Sequence, residues 1–205
     1  MLKGFLFDLD GTIWDSEKTI VRSIFQAASE ANVKISEDEI LKLFKNSVSP
    51  IVVLRDYGIS TELFWKNYRK NYAAIQLFFN NTSEILNTLL KRERSIGFIT
   101  SLKKEFTLAL LDKFDLLKYS MILITPSECR TPKPSPAPIN MALSRLSIDN
   151  TQSIYIGDQN SDIVAAKRAG CKSGLAKWGI RNPVDEVPDY FFETLSDVLP
   201  LIGED

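Results

Sequence analysis

The chain has 205 residues, 44% hydrophobic and 25% charged, and its formal net charge of −1 at pH 7 predicts no general attraction to nucleic acid or to an anionic membrane. It contains no histidine, which excludes Ser-His-Asp, Cys-His and histidine–zinc chemistry and leaves carboxylates, hydroxyls, lysine and a hard metal. It has two cysteines, no apolar run that could span a bilayer and no segment typical of a signal peptide, so we expect a cytoplasmic protein with free thiols.

The first predicted element is a strand over Leu2–Asp8, because this run is nearly all apolar, as in a strand buried on both faces. Residues 15–80 contain no strand-like run and show helical spacing instead. A capping box formed by Ser36 and Glu39 predicts the start of one helix there. The apolar residues at helical spacing are Ile20, Ile24 and Phe25, then Ile40, Leu43 and Phe44, then Leu63, Phe64 and Tyr68.

Strands and helices alternate through the rest of the chain. The apolar runs Ser95–Thr100, Met121–Thr125 and Ser153–Gly157 predict three more buried strands, with helical patterns between them. Ser135 followed by Pro136 predicts a helix that starts with proline at its first position. Gly170 predicts the left-handed end of the helix before it.

This order of elements predicts the fold class and the domains. Alternating strands and helices favour a parallel sheet with right-handed crossovers. We therefore predict an α/β protein whose core is a three-layer, Rossmann-like parallel sheet formed by residues 1–14 and 81–205. An α-helical insertion at residues 15–80 would interrupt the core after its first strand.

A polar cluster lies at the end of each of the four predicted strands. Ligands of open α/β sheets bind outside the carboxyl ends of the strands, so the topology predicts that these clusters meet at one edge. Each cluster alone is a weak signal, and their common location is the main argument for a site. The clusters are Asp8-Leu9-Asp10-Gly11-Thr12, Thr100-Ser101, Lys133-Pro134, and Gly157-Asp158 with Asp162.

The composition of these clusters favours phosphoryl chemistry. Asp8, Asp10 and Asp158 would place three carboxylates in one crevice, which is costly unless a cation compensates them. Magnesium prefers oxygen ligands and often joins carboxylates to a substrate phosphate. Lys133 adds a second cation, and phosphoryl transfer depends mainly on positioning and charge stabilisation.

Asp8 and Asp10 are two positions apart, so they share a side if the extended backbone continues. One carboxylate could attack phosphorus, while the other handles the proton of the leaving oxygen and later of water. The hydroxyl of Thr100 or Ser101 would donate to phosphate oxygens. Gly11 would let backbone amides approach the anion.

These residues resemble the motifs of the haloacid dehalogenase (HAD) superfamily, in the order in which that family has them. The segment Ile163–Gly170 and the later Trp178-Gly179 also resemble its phosphoglycolate phosphatase-like branch, and residues 15–80 resemble its helical cap. The resemblance covers nearly all of the chain outside that insertion. The four motifs are Asp8-Leu9-Asp10-Gly11-Thr12, Thr100, Lys133-Pro134-Ser135-Pro136, and Gly157-Asp158-Gln159-Asn160-Ser161-Asp162.

The resemblance implies catalytic and metal-binding roles. Asp8 would be the nucleophile and a ligand of Mg²⁺. Asp10 would be the general acid and base, and its backbone carbonyl would bind the metal. Asp158 would be the third protein ligand. The presence of Asp10 favours a phosphate ester or anhydride as substrate, because dehalogenase and phosphonatase members lack aspartate there.

The resemblance also implies which residues hold the phosphoryl group. Thr100 and Lys133 would bind and neutralise it. Ser101 stands where an asparagine or glycine is common in the family, and we include it among the phosphate-binding residues. Gly11 and Asp162 would support the site from slightly further out.

The prediction is therefore a magnesium-dependent phosphatase that acts on a small phosphorylated metabolite through an aspartyl-phosphate. The position of the insertion also leads to the hypothesis that a cap closes over the site. The sequence leaves open a phosphomutase of the same superfamily, a phosphatase-like binding or regulatory protein, and a glycosidase with two carboxylates. It does not indicate the physiological substrate or the oligomeric state.

Overall fold

The structure is a computed structural model that describes residues 1–45, 50–179 and 183–203, and the parts of the predicted spans at 46–49, 180–182 and 204–205 lie outside the described residues. The chain folds into two units. Within the described residues, the first holds 1–14, 77–179 and 184–203, and the second holds 15–45, 50–76 and Pro183. The chain re-enters the first unit at Leu77, where the sequence places the boundary at residue 81.

A six-stranded sheet forms the centre of the first unit. Its strand order is β5-β4-β1-β6-β7-β8, and neighbouring strands pair in parallel. Two further short strands, β2 and β3, pair with each other. The strands are β1 (Gly4–Phe7), β2 (Trp14–Asp15), β3 (Gln76–Leu77), β4 (Ser95–Ile99), β5 (Ile122–Ile124), β6 (Ser153–Gly157), β7 (Lys172–Ala176) and β8 (Tyr190–Phe192).

Helices flank this sheet in the first unit and make up most of the second. Helices α5, α7 and α8 pack on the sheet, and α1 to α4 belong to the second unit. The predicted α/β class with a parallel sheet is confirmed. The helices are α1 (Glu17–Glu30), α2 (Glu37–Lys45), α3 (Pro50–Asp56), α4 (Thr61–Asn71), α5 (Thr82–Lys91), α6 (Lys104–Lys113), α7 (Ala137–Leu146) and α8 (Asn160–Ala169).

Strand β1 lies between β4 and β6 in the sheet, and both of its faces are covered. Phe5, Leu6 and Phe7 have no exposed surface, and the Phe7 ring packs 6.4 Å from that of Phe98 on β4. Burying each such side chain stabilises the fold by roughly 1.5–3 kcal/mol. The apolar run that predicts this strand is therefore a consequence of its position, and Asp8 emerges directly from the core.

Two strands of the sheet, β7 and β8, are absent from the sequence-based prediction. Ser173 interrupts the apolar pattern of β7, although its side chain is fully buried. Asp189, just before β8, accepts hydrogen bonds from the Ser173 amide at 2.9 Å and from its hydroxyl at 2.8 Å. A buried polar residue is tolerated when it is satisfied in this way, and periodicity does not reveal such a partner.

Two helix starts were predicted from capping residues, and the structure confirms one of them and shifts the other by one residue. Ser36 and Glu39 form the predicted capping box, with their reciprocal amide bonds at 2.8 and 3.2 Å. The prediction that Pro136 is the first residue of α7 was wrong by one position, since α7 begins at Ala137. The Ala137 amide donates to the Ser135 hydroxyl at 3.2 Å, so the serine still satisfies the helix end.

Across the described part of the chain, no helix combines the length and the apolar character that crossing a bilayer requires.

Candidate active site

The predicted polar clusters begin where the sheet ladder ends. The Asp8 amide still donates to Ile156 of β6 at 2.8 Å, and the Thr100 amide donates to Ile124 of β5 at 3.0 Å. Both residues are 5% exposed. Asp158 follows Gly157, the last residue of β6, and is 3% exposed. The carboxyl edge of the three strands β1, β4 and β6 therefore carries three buried polar side chains.

Lys133 contacts three other side chains at this edge. Its Nζ donates to Asp8 Oδ1 at 2.7 Å and to the Tyr155 hydroxyl at 2.9 Å, and it lies 2.6 Å from Asp162 Oδ1. The side chains of Lys133, Asp8 and Asp162 are 9%, 6% and 1% exposed. Charges this deeply buried are costly unless they are paired and hydrogen-bonded. The loop that follows β5 therefore delivers a cation to the nucleophile predicted at the end of β1.

Burial and the neighbouring charges together set the pKa values of this pair. Burial raises the pKa of Asp8 to about 7, against the opposing effect of Lys133. Burial disfavours the charge of Lys133 as well, but Asp162 and Asp8 outweigh it and raise the pKa of Lys133 well above its usual value. Lys133 is therefore an ammonium at neutral pH. A further cation beside Asp8 would lower its pKa and favour the ionised form that a nucleophile needs.

The second aspartate of the first motif is held by two donors. Asp10 Oδ1 accepts a hydrogen bond from Trp14 Nε1 at 3.0 Å, and Asp10 Oδ2 accepts one from Thr100 Oγ1 at 3.3 Å. Thr100 Oγ1 in turn accepts from the Leu102 amide at 3.0 Å. Asp10 is half-buried, and these contacts fix its carboxylate at the site edge. Ser101, predicted to bind phosphate, is exposed.

The turn after β1 also approaches Asp158. Gly11 has a φ of 87°, and a Cβ at this residue would lie 2.3 Å from Asp158 Oδ2. Thr12 is fully buried and its hydroxyl lies 3.4 Å from Asp158 Oδ1. Glycine is thus required at position 11 both by the left-handed backbone and by the adjacent carboxylate. Trp178 Nε1 donates to the Thr12 carbonyl at 2.9 Å, which adds a second contact to the turn.

One group of carboxylates is placed to hold a metal ion. Asp8, Asp158 and Asp162 each offer an oxygen within 4.8 Å of the others, and all three are buried. An all-oxygen set with more carboxylates than cations fits Mg²⁺. Asp162 has other partners, since it contacts Lys133 and accepts from the Gln159 amide at 3.0 Å. Asp10 lies outside this group, and the resemblance assigns it to the metal through its carbonyl oxygen.

Sequence reasoning assigned no role to three residues that contact the site: Thr12 (a member of the first motif), Trp14 and Tyr155. A signal for Tyr155 exists, because a tyrosine within an otherwise aliphatic, buried strand needs a partner for its hydroxyl. Trp14 lies four residues from Asp10, within reach of a turn, but its indole could equally have been packing alone. Nothing in the spacing of Thr12 indicates which carboxylate it contacts.

Comparison with known proteins decides the family. The profile of the haloacid dehalogenase-like hydrolases matches residues 5–176. The chain belongs to the haloacid dehalogenase-like hydrolases. This confirms the resemblance drawn from the four motifs.

Relatives within the HAD-like hydrolases match over almost their whole length. A phosphoglycolate phosphatase of Aquifex aeolicus is 27% identical, with 98% of this chain and 97% of that protein covered. Pyrophosphatase PpaX of Oceanobacillus iheyensis is 25% identical, with 99% and 98% covered. The prediction of a HAD-like phosphatase is confirmed at this level of enzyme class.

A solved structure of a HAD-superfamily hydrolase from Geobacter sulfurreducens matches this fold. Its TM-score is 0.75 at 21% identity, and the match covers 98% of this chain and 97% of that one. At this identity the match concerns the fold alone.

Proposed function

We propose that this HAD-like phosphatase is magnesium-dependent and hydrolyses a small phosphorylated metabolite through an aspartyl-phosphate formed on Asp8. The observation that carries the proposal is the buried contact of 2.7 Å between Asp8 and Lys133, beside the carboxylates of Asp158 and Asp162. A phosphate monoester or anhydride needs charge neutralisation next to the attacking group. The names of the relatives, phosphoglycolate phosphatase and pyrophosphatase, support a small substrate of this kind.

In the proposed first step, a carboxylate oxygen of Asp8 attacks phosphorus and the bond to the leaving oxygen breaks. Asp10 supplies the proton that the leaving oxygen takes up. The Asp10 carboxyl group is suited to this because Trp14 Nε1 holds one of its oxygens in place. The Thr100 hydroxyl, which donates to the other oxygen, can turn its single O–H to the phosphoryl group when substrate binds. The Lys133 ammonium neutralises charge on the transferred group.

In the second step, Asp10 takes a proton from water, which attacks phosphorus and breaks the bond to Asp8. Inorganic phosphate leaves, the Asp8 carboxylate is restored, and Asp10 again carries a proton. Bound Mg²⁺ would be held by Asp8, Asp158 and the Asp10 carbonyl, with Asp162 in support, and would neutralise phosphate oxygens in both steps. We propose that Thr100 and Ser101 donate hydrogen bonds to the same oxygens.

The test is release of phosphate from p-nitrophenyl phosphate with and without Mg²⁺, comparing the native chain with Asp8→Asn. We expect activity to require the metal and Asp8→Asn to lose at least roughly a thousandfold, because the amide is not a nucleophile. Asp197→Asn is the control, since Asp197 caps a helical turn through Thr194 and the Glu193 amide and has no proposed part in the reaction. Full activity of Asp8→Asn would refute the proposed nucleophile. Transfer of phosphate to a sugar phosphate, with no free phosphate released, would identify a phosphomutase instead.

A further inference from the structure

We infer that Tyr155 is a positioning residue whose hydroxyl holds the Lys133 ammonium in the orientation that neutralises the transferred phosphoryl group. The inference rests on the proposed function, and the experiment below separates the two. Tyr155 is the middle residue of β6 and has no exposed surface, yet its hydroxyl accepts a hydrogen bond from Lys133 Nζ at 2.9 Å. The side chain therefore links the packed core to the reacting edge.

The path of the side chain explains this link. Tyr155 pairs with Leu6 of β1, and its ring belongs to the apolar cluster between the sheet and helices α7 and α8. Its hydroxyl lies 3.4 Å from the carbonyl of Ile99, the last residue of β4. Because β4 and β6 flank β1 on opposite sides, the side chain passes beneath β1. Packing on all sides thus fixes where the hydroxyl lies.

The number of donors on the lysine gives the hydroxyl its role. An ammonium group has three N–H bonds, and Lys133 has three oxygen partners, on Asp8, Asp162 and Tyr155. When a phosphoryl group bonds to Asp8, the phosphoryl oxygens compete with Asp8 for the Lys133 N–H bond that points to Asp8. Asp162 and Tyr155 remain as two fixed acceptors, and two fixed acceptors determine the direction of the third N–H bond. With Asp162 alone, the ammonium could rotate about a single contact.

The neighbouring residues are consistent with this role. A Cβ at Gly157, which lies on the same side of β6 as Tyr155, would come within 2.3 Å of Asp162 Cγ. The glycine therefore makes room for the Asp162 carboxylate next to the hydroxyl, 3.4 Å away. Burial raises the pKa of Tyr155 well above its usual value despite the opposing effect of Lys133, so the hydroxyl stays neutral. The Lys133 ammonium is also 5.4 Å from the centre of the ring.

The first measurement is the steady-state kinetics of Tyr155→Phe with p-nitrophenyl phosphate and Mg²⁺. This variant keeps the ring and its packing and removes only the hydroxyl. We expect kcat to fall roughly ten- to a hundredfold, as for a misaligned charge-stabilising donor, with little change in KM. Tyr119→Phe is the matched control, because Tyr119 is also buried but precedes β5, at the opposite end of the sheet. Unchanged kcat in Tyr155→Phe would overturn the inference.

The second measurement asks whether the hydroxyl acts through the lysine. We expect Tyr155→Phe to cause no further loss in a Lys133→Met background, because the group that it positions is gone. The same fractional loss in both backgrounds would show a merely structural role and overturn the inference. If Lys133→Met does not fold, Lys133→Arg serves instead, since the N–H groups of arginine form a planar fork and cannot occupy the position of the lysine Nζ. Wild-type activity in the Lys133 variant would contradict the proposed function itself, which separates the two failures.

Discussion

Two glycines of the first unit share a backbone conformation but differ in what surrounds them. Gly11 and Gly170 have φ angles of 87° and 77°. A Cβ at Gly11 would lie 2.3 Å from Asp158 Oδ2, whereas a Cβ at Gly170 would meet no described atom within 4 Å apart from those of its chain neighbours. The pair therefore separates the cost of a left-handed backbone from the cost of displacing a candidate metal ligand.

We expect Gly170→Ala to lower the free energy of unfolding by about 1 kcal/mol, the cost of a left-handed alanine, and to keep its phosphatase activity. Gly11→Ala carries the same strain and also pushes the Asp158 carboxylate away. It should therefore lose at least roughly tenfold in kcat and need more Mg²⁺ for half-maximal rate. Denaturant unfolding and Mg²⁺ titration of the rate provide the readouts. Equal Mg²⁺ requirements in the two variants would contradict the proposed role of Asp158.

At the scale of elements, the turn after β5 begins the loop that delivers Lys133. Glu128 Oε2 accepts from the Thr125 amide at 3.0 Å and from its hydroxyl at 2.5 Å, and Glu128 Oε1 accepts from Lys104 of α6 at 2.7 Å. Burial tends to raise the pKa of Glu128, but Lys104 and Thr125 outweigh it and lower the pKa to about 2. One carboxylate thus joins the end of β5 to the start of α6.

This lowered pKa predicts how stability depends on pH. Because the folded-state pKa lies below the ordinary value of 4.5, the contribution of Glu128 is complete above that pH and is lost as the pH falls towards about 2. We expect Glu128→Gln to cost about 1–3 kcal/mol at pH 7, less than the full shift implies because the ion pair with Lys104 is partly exposed to solvent. The deficit relative to the native chain should shrink below pH 4.5. If the unfolding free energy of Glu128→Gln stayed below that of the native chain by the same amount from pH 3 to 7, the lowered pKa of Glu128 would be contradicted.

The same elements show what a sequence can and cannot predict. The four strands that lead into the site were predicted because each is nearly all apolar. The pattern reflects burial on both faces in β1, β4 and β6, whereas β5 at the sheet edge is partly exposed. Strands β7 and β8 were missed, since Ser173 depends on a partner sixteen positions away for its hydrogen bonds. Helix α3 in the second unit is seven residues long, too short for a clear helical period.

Within the site, order along the chain predicted which clusters meet but not which atoms touch. The motifs placed Asp8, Lys133 and Asp158 at one edge, because parallel strands bring their carboxyl ends together. The contact of Lys133 with Tyr155 depends on how a ring crosses beneath β1, which is a property of packing. The periodicity of a sequence carries no information about such packing, so the contact between Lys133 and Tyr155 could not be predicted from it.

At the scale of the whole molecule, the buried charges link folding to metal binding. Asp8, Asp158 and Asp162 lie within one buried group, and Lys133 is paired with two of them. Carboxylates held together in this way destabilise the folded chain until a cation joins them. A ligand that binds only the folded state stabilises it, by about 2.7 kcal/mol at a hundred times its Kd.

We therefore expect saturating Mg²⁺ to raise the Tm of the native chain by roughly 5–10 °C, given the unfolding entropy of a chain of this size. Asp158→Asn should lose most of that shift, while its Tm without metal should equal or exceed that of the native chain, because one buried carboxylate is gone. Asp197→Asn, which alters a cap elsewhere, should be less stable yet keep the full shift. Thermal melts at several Mg²⁺ concentrations would test all three proteins together. The same shift in each would mean that the metal stabilises the chain at some place other than this carboxylate group.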